Sequence, residues 1–304
     1  LITETNVPEK ENISYLKPGD EAHLAYNFPL PPLLLESIYS RKTDLLNKWL
    51  CSWPPFTENT SFINFSASHD GIGLRAVENI MEHGRLKNFL IESEMRGGLI
   101  SHRKLSNGKE KAYEINISWW SAMADTGLNR SQFQFERFIL SQLFVMGLKG
   151  VPAFYLQAIM ASENDLNTFL KTGERRDLNR ERFNKGKLIN DLEDKNSFSS
   201  KNILLLKNAM SIRGKLKAFN PEEPMICNSQ NRRDIVVFCR GRDDYRVWAI
   251  HNMTNTKLTF CIEDSLDVEL NDDFYWNDIL NGINYLKNQI ELNPYSVHWL
   301  VRKK

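Results

Sequence analysis

The chain has 304 residues, of which 41% are hydrophobic and 25% charged. This is ordinary globular composition, and it allows one large core or two smaller ones. Thirty-nine basic residues face 38 acidic ones, a net charge of +1, so no excess charge favours a nucleic acid or an anionic membrane as partner. No apolar run reaches the roughly 18 residues that a membrane span needs, and Glu, Lys and Asp near the start break any basic-then-apolar leader pattern.

Leu1 to Thr5 reads as a short strand that Pro8 stops. It opens without Met and looks like the middle of a strand, so a preceding segment is expected. Glu11 to Tyr15 reads as loop, and Pro18-Gly19 as a turn. Glu21 to Phe28 alternates enough for a second strand. Pro29, Pro31 and Pro32 open a helix through Leu33 to Tyr39, since a first turn does not need their missing N–H. Thr43 to Cys51 is a second helix with Leu45, Leu46, Trp49 and Leu50 on one face, ended by Pro54-Pro55.

Phe62 to Ala67 carries no charge and no Pro, as a strand covered on both faces should. It runs into Ser68-His69-Asp70-Gly71. An imidazole and a carboxylate at the end of a buried strand stand where barrel enzymes hold their reacting groups. The plainer reading is an Asp-Gly turn beside a loop histidine.

Helical spacing follows over Ala76 to Ser93. A polar hairpin runs from Gly97 to Asn116, with Asn107-Gly108 as its turn. Phe133 to Gly147 is the most apolar helix, and Gly150 to Tyr155 the next strand. Ser162 to Arg180 reads as a charged loop and Asn202 to Leu216 as the last helix. Strand–helix alternation up to residue 221 implies a parallel sheet. From 222 to 304 short runs such as Ile235–Cys239, Tyr245–Ile250, Lys257–Ile262, Phe274–Trp276 and Val297–Val301 imply a small antiparallel β domain. Cys51, Cys227, Cys239 and Cys261 lack CxxC spacing. They are expected to be reduced thiols in a cytoplasmic protein, with no zinc site and no disulfide framework.

Several of these stretches, in this order, resemble the alpha-amylase superfamily of glycoside hydrolases, and within it the sucrose phosphorylase-like and glucosylglycerate phosphorylase-like branch. They are Thr3-Glu4-Thr5-Asn6-Val7-Pro8, Glu11-Asn12-Ile13-Ser14-Tyr15 with Tyr26-Asn27-Phe28, Ser68-His69-Asp70-Gly71-Ile72-Gly73, Gly150-Val151-Pro152-Ala153-Phe154-Tyr155, and Asn164-Asp165 with Arg176-Asp177-Leu178-Asn179-Arg180. Leu292 to Leu300 resembles the end of the family's β domain. The likeness implies the C-terminal half of a (β/α)8 barrel, strands five to eight, followed by the β domain, because a whole barrel needs about 250 residues. It also implies that the nucleophilic aspartate of the fourth strand lies outside this chain.

By resemblance, Glu4 is the general acid/base, at a partly apolar strand end that raises its pKa. Asp70 is the carboxylate that stabilises the oxocarbenium-like transition state, and His69 donates to a sugar hydroxyl. Arg176 and Arg180 are candidates for phosphate, whose geometry suits a guanidinium, or else surface charges paired with Glu174, Asp177 and Glu181. Tyr155, Gln157 and Asp165 are candidate substrate-binding residues. Trp119, Trp120 and Phe154 are either a sugar-stacking platform or core. The expected ligands are an alpha-glucoside and phosphate, with a separately encoded N-terminal half as partner and neither cofactor nor metal. The alternatives are a hydrolase of the same superfamily, a sugar-binding piece or a non-catalytic remnant.

Overall fold

The computed structural model describes residues 1–303 except 18–20, 55, 57, 229–231, 243–244, 263–274 and 287. The expected Pro18-Gly19 turn, Pro55 and the start of the Phe274 strand therefore lie outside the described residues.

β1 (Ile2–Thr3) is shorter and more exposed than a core strand. It is followed by α1 (Glu9–Ser14), where a loop was expected. Pro8 caps this helix with a φ of −54°, and Glu9 and Glu11 lie in its first turn, where the exposed amides favour carboxylates. After β2 (Leu24–Tyr26) come α2 (Leu30–Ser40), with Pro31 and Pro32 in its first turn, and α3 (Asp44–Cys51). β3 (Ser61–Phe65) is buried at every position, as its uncharged sequence requires.

β4 (Ile72–Gly73) and a 3-10 turn at Arg75–Val77 precede α4 (His83–Met95), which starts later than the apolar spacing suggests. β5 (Leu99–Lys104) and β6 (Glu110–Asn116) form the expected hairpin, and Gly108 takes the left-handed φ of +77° at its tip. α5 (Trp119–Ala122) and α6 (Gln134–Gly147) lead to β7 (Val151–Ala153) and α7 (Leu156–Ile159). The stretch expected to be a charged loop contains α8 (Leu166–Thr172) and a 3-10 helix at Arg175–Asn179. α8 has no buried residue, so no apolar stripe marked it. α9 (Lys185–Glu193) and α10 (Phe198–Gly214) complete this part.

β1, β2, β3 and β7 pair in that order, all parallel, with Leu24 opposite Ser61 and Ile63 opposite Val151. β4, β6 and β5 form a separate antiparallel sheet. The remaining strands are antiparallel: β8 (Met225–Cys227), β9 (Ile235–Arg240), β10 (Val247–Asn252), β11 (Leu258–Cys261), β12 (Tyr275–Asp278), β13 (Ile283–Tyr285), β14 (Gln289–Leu292) and β15 (Val297–Lys303). Six of them make one sheet in the order β13-β12-β15-β10-β9-β8, and β11 pairs with β14. One continuous apolar core joins Leu34 of α2 and Phe144 of α6 to Phe238 of β9 and Trp299 of β15. A second core, with Trp248, Phe260 and Leu300, lies within the antiparallel part.

Cys51 and Cys227 are joined as a disulfide, with Cα atoms 5.2 Å apart, and this overturns the expectation of four reduced thiols. The partners are 176 residues apart. They meet because α3 docks on the antiparallel sheet: Thr43 Oγ1 and Asn47 Nδ2 both donate to the Ile235 carbonyl at 3.2 Å. Cys239 and Cys261 are free thiols, and burial pushes Cys239 up to about 12.

Candidate active site

Parallel strands end on the same edge of their sheet, and this fact builds the site. Glu4 follows β1 directly. Ser66, Ala67 and Ser68 carry the chain from β3 to His69 and Asp70. The Glu4 carboxylate, the His69 ring and the Asp70 carboxylate come within 4.8 Å of one another. His69 Nε2 is 3.6 Å from Asp70 Oδ1. Glu4 is exposed, not enclosed in the partly apolar strand end expected from its sequence context. Its charge lies near the Tyr26 phenol, which burial first, and Glu4 second, push above the usual range. Tyr26, Phe28 and Phe65 pack ring to ring there, with centroids 5.4–5.9 Å apart.

The β5–β6 hairpin closes over the turn after Asp70. A Cβ on Gly71 would stand 2.5 Å from Glu114 Cγ and 2.6 Å from the Ile115 carbonyl oxygen, so only glycine allows this approach. The approach brings up a residue that the sequence reading did not single out. Glu114 is buried, 4% exposed, and accepts both Nε (3.1 Å) and Nη2 (2.8 Å) of Arg176. Arg176 Nη1 reaches Asp70 Oδ1 at 2.7 Å. Bonding to Glu114, more than any other contact, holds the Arg176 guanidinium above its usual pKa. A lone glutamate in a polar hairpin carries no sequence signal of such a partner.

Arg180 Nε donates to the His69 carbonyl at 2.6 Å, and its Nη2 is 3.6 Å from Asp70 Oδ1. Asn179 Nδ2 donates to the Asp70 carbonyl at 3.1 Å. The 3-10 helix at Arg175–Asn179 and the Arg180 that caps it therefore fix the His69-Asp70 backbone and lay two guanidiniums beside one carboxylate.

A cleft with about 20 Å³ of free interior, room for a water, opens beside these groups. Phe28, Phe65, Asp70, Trp119, Tyr155 and Gln157 line it. The Tyr155 hydroxyl donates to the Asn179 carbonyl at 3.5 Å, and burial pushes the phenol up. Gln157 Nε2 donates to the Glu181 carbonyl at 3.4 Å. Asp165 is not brought here. It caps α8, where Oδ1 accepts the Thr168 N–H and Oδ2 the Thr168 hydroxyl, and it borders a different cleft. Trp119 and Trp120 are core residues: the Trp119 ring N–H donates to Ser141, and Trp120 packs on Phe138 and Phe198. Phe154 is half-buried against the same core.

Glu4, His69 and Asp70 could together hold a cation. Arg176 and Arg180 at the Asp70 carboxylate make the surroundings better suited to a hydroxyl-rich or anionic ligand.

The chain is similar in sequence to glucoside phosphorylases, and its fold is shared with a solved sucrose phosphate phosphorylase and with amylases. The glucosylglycerate phosphorylase of Escherichia coli is 27% identical over 99% of this chain and 52% of that protein. The glucosylglycerate phosphorylase of Spirochaeta thermophila is 36% identical over 73% of this chain and 37% of that protein. The solved sucrose 6F-phosphate phosphorylase of Thermoanaerobacter thermosaccharolyticum superposes with a TM-score of 0.68 at 20% identity, over 87% of this chain and 50% of that one. The chain thus spans about half the length of the relatives it matches. No family model matches it.

Proposed function

We propose that the chain is the C-terminal half of a retaining glucoside phosphorylase, which moves glucose from a sucrose-like alpha-glucoside to phosphate. In this reading β1, β2, β3 and β7 are strands five to eight of a (β/α)8 barrel. Residues 1–221 are the barrel half and 222–304 a C-terminal all-β domain. The observation that carries the proposal is the meeting of Glu4, His69 and Asp70 within 4.8 Å on one edge of a parallel sheet, flanked by Arg176 and Arg180.

Glu4 protonates the leaving oxygen and then takes the proton of the incoming phosphate. Asp70 stabilises positive charge at the anomeric centre and binds sugar hydroxyls, and His69 donates to another. Arg176 shifts from Asp70 when sugar or phosphate arrives but stays anchored at Glu114. Arg180 is the more available of the two cations for phosphate. Tyr155 and Gln157 line the sugar side of the cleft. Retention needs a nucleophilic carboxylate about 5 Å from the acid/base. In this reading a barrel half supplied N-terminally provides it. A cytoplasmic location fits phosphorolysis of a small glucoside.

The test is glucose 1-phosphate formation from sucrose and from glucosylglycerate. It compares the chain alone with the chain supplied with an N-terminal barrel half from upstream coding sequence. Product in the combined sample, lost with Glu4→Gln, supports the assignment. Product that survives Glu4→Gln, or a combined sample that neither reacts nor binds either glucoside, overturns it.

A further inference from the structure

Away from this site, at the end of the antiparallel sheet, lies a second constellation with chemistry in it. Asp278 ends β12, and His298 is the second residue of β15, which pairs with β12. His298 Nδ1 lies 2.7 Å from Asp278 Oδ2, and its Nε2 lies 3.1 Å from the hydroxyl of Ser296. Asp278 is fully buried and held by four further donors: the amides of Leu280, Asn281 and Trp299 on Oδ1, and the Asn281 side chain at 2.6 Å on Oδ2. Accepting from that many donors, the carboxylate is fixed in place and receives the Nδ1–H of His298. Nε2 is then left as the acceptor of the Ser296 O–H. Carboxylate orienting imidazole, imidazole accepting from hydroxyl, is the arrangement that activates a serine.

The backbone before Ser296 supports the same reading. Asn293-Pro294-Tyr295-Ser296 is a turn closed by a 3.1 Å bond from the Ser296 N–H to the Asn293 carbonyl. Tyr295 sits at a φ of +52°, where glycine is normally required. Its side chain is buried, and its hydroxyl has no partner among the described residues. Ser296, His298 and Tyr295 all line one large cleft of about 950 Å³ between α6, α10 and β13–β15. Ile139 and Leu143 of α6, Leu205 and Ile212 of α10, and Ile283 give it apolar walls.

We propose that Ser296, His298 and Asp278 form a second, nucleophilic site that takes acyl groups from carboxylic esters. The Ser296 oxygen bonds to the ester carbonyl carbon while its proton passes to His298 Nε2. The carbon–alkoxy bond then breaks, and the leaving alkoxide takes that proton as an alcohol. Water, deprotonated by the same nitrogen, releases the carboxylic acid and restores the Ser296 hydroxyl. Asp278 holds the ring and its charge throughout. The Tyr295 hydroxyl is the available donor to the carbonyl oxygen, and the apolar walls receive the acyl chain.

The experiment is labelling of the full chain with an alkyl fluorophosphonate, read by intact mass and peptide mapping, beside hydrolysis of p-nitrophenyl butyrate. The proposal expects one phosphonyl adduct on Ser296, none in Ser296→Ala, and labelling slowed by about 100-fold in a folded His298→Gln. Thermal melts check folding, and the wild-type chain alone decides the first point. Absence of a Ser296 adduct in the folded wild-type chain, under conditions that label a control serine esterase, overturns the proposal. So does a folded His298→Gln that labels at the wild-type rate.

Discussion

At Gly71 a single hydrogen decides how the candidate site closes. The missing Cβ lets Glu114 reach Arg176, and Arg176 reach Asp70, across two segments far apart in sequence. Gly71→Ala places a methyl against the Ile115 carbonyl, which cannot rotate away. Overpacking of this kind costs about 1–3 kcal/mol. A urea midpoint lowered accordingly, with an unchanged slope, is the expected result. His69 and Asp70 were legible in the sequence because a charged, glycine-containing turn interrupts an uncharged strand. Glu114 was not, because the partner that gives it meaning is 62 residues further on.

Between elements, Arg240 shows how the antiparallel part is fastened to the helical part. Fully buried at the end of β9, it donates Nη1 to the carbonyls of Gly147 and Leu148 at the C-terminus of α6, and Nη2 to that of Asn220. Helix C-termini present unpaired carbonyls with partial negative charge, so the cation satisfies both hydrogen bonding and charge. Burial draws its pKa below the usual guanidinium range, yet it remains a cation at neutral pH. Arg240→Met keeps much of the volume and strands these carbonyls. We expect a loss of about 3 kcal/mol or more, read as a lowered denaturation midpoint. The short elements tell the complementary story. α1 and α8 escaped the apolar pattern because each is stabilised by its ends, Pro8 before one and Asp165 capping the other, and buries almost nothing.

For the whole molecule, His251 makes one contribution to the pH dependence of stability. Its ring is fully buried against Phe144 and Phe238, with Nδ1 3.3 Å from the Val236 carbonyl. Burial pulls its pKa from 6.5 down to about 3. Between those values the unfolded chain binds a proton that the folded chain does not, so stability falls as pH drops below 6.5. The loss from this group is about 1.4 kcal/mol per pH unit and stops growing near the folded value. The slope of unfolding free energy against pH between 6 and 5 should therefore be shallower in His251→Leu than in wild type by about that amount.

Local sequence determined the alternation of strands and helices, the buried character of β3, the hairpin at Asn107-Gly108 and the change to β structure near residue 222. Each of these follows from periodicity, turn chemistry and proline placement acting over a few residues. The His69-Asp70 turn and the Glu4 strand end could be named from the same local patterns and their resemblance to a family. Tertiary structure alone decided which groups meet. It joined Cys51 to Cys227, set Glu114 behind Arg176, gave Asp165 to a helix cap and aligned Asp278, His298 and Ser296. The physical reason is that such contacts depend on how strands register and helices dock, and neither leaves a periodic mark on the residues that are brought together.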